Sequence, residues 1–298
     1  MDLQIEELNP DVVGKKLGQK LFSPKGGLLL VMGAEIKQIH FRYFRDIGYR
    51  SVYVINEQGE ATEAAGHLIS DKLRATSPMT LKNIYMRLQS KDKSLVARGK
   101  KELSVLADDI INGVNVKITQ PPDILDLKRE EDYLYQHAIN VAAYSVLIGQ
   151  SLQYHQLKLF DLTLSALLAN FGMQFIDSKI LLKQGELDED EFNEVKKHTI
   201  LGFQHLSRKC NMKGLVSSVA VQHHERHDGS GYMKGMIGEE IHEYSRIVAL
   251  TDFFDAYTSD RPHRRLNVID EAVDYVKANI GRDFDPRIAE HFLRFFEL

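Results

Sequence analysis

The chain has 298 residues and a single cysteine, Cys210, so it contains no intramolecular disulfide and no CxxC pair. That excludes a disulfide-framed secreted module and a thiolate zinc site. It has no basic excess: 38 Lys+Arg against 42 Asp+Glu leave a formal net charge of −4, which is not the footprint of a duplex nucleic-acid binder. It lacks any apolar run approaching the ~18 residues a membrane span needs. Met1-Asp2-Leu3-Gln4-Ile5-Glu6-Glu7 is acidic where a secretory signal is basic and then apolar. These absences give the expectation of a cytoplasmic protein that is neither exported nor membrane-spanning. Internal repeats and low-complexity tracts are also missing. What is present is an ordinary folding composition, 43% hydrophobic and 27% charged, in a length that suits about two domains at ~150 residues each. There are 12 histidines, several of them clustered in the second half.

Three segments are expected. Residues 1–65 read as a small α+β module: Gly26-Gly27 precedes the apolar run Leu28–Val31, Ala34–Ile47 is helix-like and stops at Gly48, and Ser51–Ile55 is strand-like. Residues 66–120 read as a helical linker region. Within it Val96, Gly99, Leu103, Leu106 and Ile110 form a stripe that packs on the protein's own domains or forms a helical homodimer seam. After Pro121-Pro122, residues 121–298 read as a helical bundle. Apolar residues recur at three- and four-residue intervals over Tyr133–Leu152, Lys158–Asn170, Glu189–Leu206, Leu215–His224, Tyr244–Ser259, Val268–Asn279 and Asp285–Phe296. Asp188 with Glu191 forms a capping-box start for the helix expected to carry His198. The fold class is therefore mainly α, with a small α+β module at the N-terminus.

A lone histidine on a helix says little. His137, His198, His223, His224 and Asp252 say more together, since they lie on separate predicted helices apart from the adjacent pair and offer nitrogen and oxygen ligands suited to Fe, Mn or Zn. Helical bundles build metal centres by such inward convergence. Adjacent side chains point about 100° apart on a helix, so His223 and His224 can share one ion only near the helix end, where Glu225–Gly231 begins a loop. In that loop Asp228-Gly229-Ser230-Gly231-Tyr232 forms a tight turn that offers backbone N–H groups to an anion.

The segment His223–Tyr232 (HHERHDGSGY), with Arg246–Ser259 and then Arg261-Pro262-His263-Arg264, resembles the HD-GYP family, a branch of the HD-domain metal-dependent phosphohydrolases whose usual substrate is cyclic di-GMP. The resemblance runs from about Asp132 to Phe296. Gly14–Ile55 is similar to a small module often found before that domain. The resemblance implies a cyclic di-GMP or related cyclic dinucleotide ligand, metal held by His198, His223, His224, His137 and Asp252, and a GGDEF-domain protein as a candidate partner through the glycine loop. It also implies substrate contacts from Arg261, Arg264, Tyr232, Gly231 and Lys183. Each of these has a plainer alternative: a solvated helix end for the arginines, loop packing for Tyr232, an ordinary surface lysine for Lys183. Asp255 reads as capping or pairing within its own helix.

The sequence departs from the family at the name-giving motif. Where relatives carry a segment like LLHDIGK, this chain has Leu167-Leu168-Ala169-Asn170-Phe171-Gly172-Met173, with Ala169 for histidine, Asn170 for aspartate and Met173 for lysine. Leu181–Leu187 downstream holds the alignment, and Met233 replaces the proline after Gly231-Tyr232. The family's aspartate bridges two metal ions that clamp the attacking and leaving oxygens, and a neutral amide does not bridge two dications as a carboxylate does. One well-held ion on His198, His223 and His224 is therefore expected, beside a weak position left with His137 and Asp252. Loss of the lysine removes a further cation near the scissile phosphate. The expectation is a receptor or scaffold with impaired hydrolysis; the alternative is an active phosphodiesterase working from the surviving ligands.

Overall fold

The computed structural model describes residues 2–23, 25–49, 51–56, 68–114, 133–183, 185–259 and 265–296. Both segment boundaries, at 65/66 and 120/121, lie outside them, as do Asp132, Arg261 and Arg264. The fold is mainly helical. Among the described residues no helix is long and apolar enough to cross a membrane.

The N-terminal module pairs β1 (Asp2–Glu7) antiparallel with β4 (Ser51–Asn56), and β2 (Leu21–Phe22) with β3 (Leu28–Leu30). Helix α1 (Gln38–Asp46) completes a core of Val12, Leu17, Leu21, Ile36, Phe41, Phe44, Val52, Tyr53 and Val54. α1 starts later than the apolar spacing predicts. The backbone of 34–36 is taken by residues 15–17, with Leu17 N–H donating to Ala34 O and Ile36 N–H to Lys15 O, both 2.9 Å. The stop at Gly48 is as expected, in the left-handed conformation at φ +88°.

Helices α2 (Asp71–Leu88) and α3 (Lys93–Gly113) lie in the segment read as a helical linker region. Their buried residues belong to one apolar core with the helices that follow. The stripe Gly99, Leu103, Leu106 and Ile110 is covered within the chain by α2 and by α5 (Gln156–Leu168), which removes it as a homodimer seam. Arg74 of α2 is buried, and its guanidinium donates to Gln19 of the module at 3.1 Å. Three turns on, Tyr85 donates to Leu167 O at 2.6 Å and packs edge-on against Phe171, 4.9 Å away, so α2 braces the turn that carries Asn170.

The central helix is α4 (Tyr133–Ser151), buried on every side from Tyr135 to Gly149. Against it pack α2, α3, α5, α10 (Glu243–Ser259) and α12 (Pro286–Leu293), and the remaining helices of this part are α6 (Ser178–Leu181), α7 (Glu189–Lys196), α8 (His198–Arg208), α9 (Gly214–Gln222) and α11 (Arg265–Ala278). The helix expected over Glu189–Leu206 is two helices, so His198 opens α8 rather than continuing from the Asp188–Glu191 capping box, which starts α7. Side chains capture backbone carbonyls at the break: Thr199 Oγ1 donates to Lys196 O at 2.9 Å and His198 Nδ1 to Val195 O at 2.7 Å.

Between α5 and α6 a short 3₁₀ turn, Phe171–Phe175, presses against α8. Gly172 allows this approach, because a Cβ there would sit 1.8 Å from His198 O and 2.7 Å from Gly202 N. Gly172→Ala is expected to lower stability by about 1–3 kcal/mol through overpacking, and to lower metal content with it by displacing the start of α8. Thermal unfolding and elemental analysis of one preparation check this; an unchanged melt and unchanged metal content would contradict it.

Candidate metal centre

Three histidines from two elements meet. His198 begins α8, while His223 and His224 follow directly on α9, at the helix end where adjacent residues can converge. Their ligand nitrogens all lie within 4.8 Å of one another, and Nε2 of His198 is 3.4 Å from Nε2 of His223. The tautomers follow from the outer partners. His198 Nδ1 faces Val195 O at 2.7 Å, and His223 Nδ1 faces Val219 O and Ala220 O, both at 3.1 Å. A carbonyl only accepts, so both Nδ1 atoms carry the protons and both Nε2 lone pairs point at each other.

Burial, reinforced by the neighbouring His223, pushes His198 down to about 4, and burial likewise lowers His223 and His224. All three are neutral near pH 7, with no proton to place between the facing lone pairs. A cation satisfies that arrangement. The separation of 3.4 Å equals the edge of a tetrahedron with metal–nitrogen bonds of about 2.1 Å. The donor set therefore fits a divalent transition ion, which when bound supplies Lewis acidity.

His137 and Asp252 do not join that group. His137 of α4 points Nε2 at Asp252 Oδ1 (2.9 Å) and Nδ1 at Asp255 Oδ2 (2.7 Å), both on α10. Burial opposes its charge, but the two carboxylates outweigh burial and raise His137 to about 9. Both ring nitrogens thus face carboxylate oxygens, which favour the protonated ring. Burial would favour the neutral form of Asp252, yet His137 holds it well below the usual carboxylate range. Asp255, expected to pair within its own helix, instead accepts from His137 and from Asn140 Nδ2 (2.8 Å), both on α4.

Asn170 sits where α5 ends, is buried, and donates from Nδ2 to Asp252 Oδ1 at 2.6 Å. Its 3.2 Å approach to His137 Nε2 is a contact between two donors sharing one carboxylate oxygen. Ala169 beside it is fully buried in the apolar core, and Met173 is half-buried in the 3₁₀ turn.

The glycine loop is built from behind by Glu225, whose functional weight is not evident from the motif alone. It is buried and accepts Lys234 N–H at 2.8 Å and Met236 N–H at 3.1 Å. Asp228 Oδ1 accepts Ser230 N–H at 2.8 Å. Gly231 leaves no room for a side chain, since a Cβ would lie 2.4 Å from Arg226 N and 2.5 Å from His224 O. Tyr232 uses one face of its ring on the protein, stacking on His224 at 4.8 Å between centroids. Lys183 is exposed and paired with Glu191, so the structure gives it a partner of its own. The site thus gathers His198, His223, His224, Tyr232 and Gly231, sets His137 and Asp252 beside them as an ion pair, and leaves Lys183 on the surface.

A protein-family model described as HD domain matches residues 121–288. The chain belongs to the HD-domain family, in its HD-GYP branch. The cyclic di-GMP phosphodiesterase response regulator RpfG of Xanthomonas campestris is 40% identical over 149 residues, covering 50% of this chain and 39% of the relative. A cyclic di-GMP phosphodiesterase of Pseudomonas aeruginosa is 30% identical over 192 residues, 63% and 46% of the two chains. The 3'3'-cGAMP-specific phosphodiesterase 3 of Vibrio cholerae is 35% identical over 163 residues, 55% and 35%. The chain spans less than half the length of each of these three. The solved structure of Bd1817, a HDG"Y"P protein from Bdellovibrio bacteriovorus, matches with a TM-score of 0.58 at 15% identity, over 98% of both chains. That likeness of fold reaches beyond the HD domain into the N-terminal module.

Proposed function

We propose that this HD-GYP domain binds a cyclic dinucleotide, cyclic di-GMP first among them, at a centre holding one well-bound Fe, Mn or Zn ion per chain, and acts as a receptor or scaffold with impaired phosphodiesterase activity. The observation that carries this reading is Asn170: a neutral amide, donating to Asp252 Oδ1 at 2.6 Å, occupies the position from which a carboxylate would have to reach two dications. With His137 committed to Asp252 and Asp255, the second ion has no adequate ligand set. The surviving triad keeps one ion and one point of attachment for a phosphate oxygen. The cyclic di-GMP and cGAMP specificities in the relatives' names support the ligand class. The glycine loop is the surface we assign to a GGDEF-domain partner.

The test is elemental analysis of anaerobically purified protein, with calorimetric cyclic di-GMP binding and hydrolysis followed on the same sample. The expected result is about one ion per chain, saturable binding and turnover at background. Two ions with turnover would overturn the reading in favour of an active phosphodiesterase, the alternative that the intact His198–His223–His224 triad favours.

A further inference from the structure

Met173 stands where the family resemblance implies a lysine, yet the structure holds another cation at the same end of α8. Lys196 is the last residue of α7, two positions before His198. Its Nζ lies 4.5 Å from the ring centroid of Phe192 and 5.6 Å from that of Tyr232. Tyr232 in turn stacks on His224, so a single aromatic ring separates the ammonium from the metal triad. The nearby lysines are neutralised: Lys183 is paired with Glu191, and Lys197 with Glu194. Among the described residues no carboxylate pairs with Lys196, which donates only to the side-chain amide oxygen of Asn193 at 3.1 Å. Two aromatic faces fix the position of an ammonium without cancelling its charge, as a carboxylate would. Lys196 itself is half-buried, not enclosed, so this cation is open to a ligand.

We infer that Lys196 is the phosphate-binding cation of this pocket, contacting the phosphodiester of a bound cyclic dinucleotide in place of the lysine absent at Met173. The inference rests on the functional reading above and names a residue for it. An ammonium held beside the histidine triad is complementary to a phosphodiester anion, and a charge-assisted hydrogen bond to phosphate is among the stronger polar contacts available.

The experiment is calorimetric titration of cyclic di-GMP into the wild-type chain and the Lys196→Met and Lys196→Arg variants, with metal content and melting temperature measured on each. Lys196→Met is expected to bind ~10- to 100-fold more weakly at unchanged metal content and melting temperature, and Lys196→Arg within about threefold of wild type. Raising ionic strength from about 0.05 to about 0.5 M should weaken wild-type binding more than that of Lys196→Met, because screening acts on the charge the variant lacks. Lys196→Met binding as tightly as wild type would overturn the assignment while leaving the functional reading intact. A loss shared equally by Lys196→Arg, or accompanied by loss of metal, would make Lys196 a structural residue and also overturn it. A wild-type chain that binds no cyclic dinucleotide would overturn the functional reading and this assignment together.

Discussion

Asn170→Asp, made together with Ala169→His and Met173→Lys, is expected to raise cyclic di-GMP hydrolysis by at least ~10²-fold and to move metal content from about one ion per chain toward two. The Asn170 amide now donates to Asp252 Oδ1 at 2.6 Å. A carboxylate there sets a second anionic group against Asp252, a repulsion that a bound dication or an added proton relieves. The sign of the stability change therefore depends on metal: the metal-free variant should melt below wild type, and the metal-loaded variant should gain more from metal than wild type does. Ala169 is fully buried in the apolar core, so an imidazole there needs space that the fold must yield. The double variant Asn170→Asp, Met173→Lys leaves that residue alone and provides the fallback test. If the second ion binds and no hydrolysis follows, the pocket has diverged beyond its ligands. If the wild type already turns over, Asn170 is not the lesion we take it to be.

Much of this could be read from sequence because its physical determinants are local. The glycine loop, the His223-His224 pair at a helix end and the helical periodicity are short-range patterns, and the structure has helices at each of the seven expected stretches. The break between α7 and α8 was not legible, since Lys197 disrupts no apolar period and the capture of Lys196 O and Val195 O depends on side-chain geometry. The clamp on His137 was encoded but easily missed: His137 and Asn140 are three residues apart on α4, Asp252 and Asp255 three apart on α10, and each pair shares a helix face. Only the packing of α4 on α10 reveals that these faces meet. Likewise Gly172 reads as part of a motif, whereas its reason is a backbone approach to α8. The role of α2 in bracing the Asn170 turn depends on a contact between Tyr85 and Leu167, far apart in sequence and beyond any local pattern.

His223→Ala and His137→Ala are expected to fail in opposite ways, although the family resemblance marks both residues as metal ligands, at neighbouring positions. His223 is fully buried with its Nε2 3.4 Å from that of His198. Removing it leaves two of three converging nitrogens and should weaken metal binding by ~10²-fold or more, so the purified variant should be nearly metal-free and its melting temperature indifferent to chelator. His137→Ala should keep its metal, because both ring nitrogens are directed at carboxylates and not at the histidine triad. It should instead lose about 3–5 kcal/mol of stability, since Asp252 and Asp255 would remain buried without the cation between them. Elemental analysis and thermal unfolding with and without chelator separate the two signatures. If His137→Ala loses metal as completely as His223→Ala, then His137 exchanges its proton for the ion, and the two halves of the site form one centre. If it keeps metal and only melts early, the proton on His137 occupies the place a second ion would need, and one metal is the working complement of this pocket.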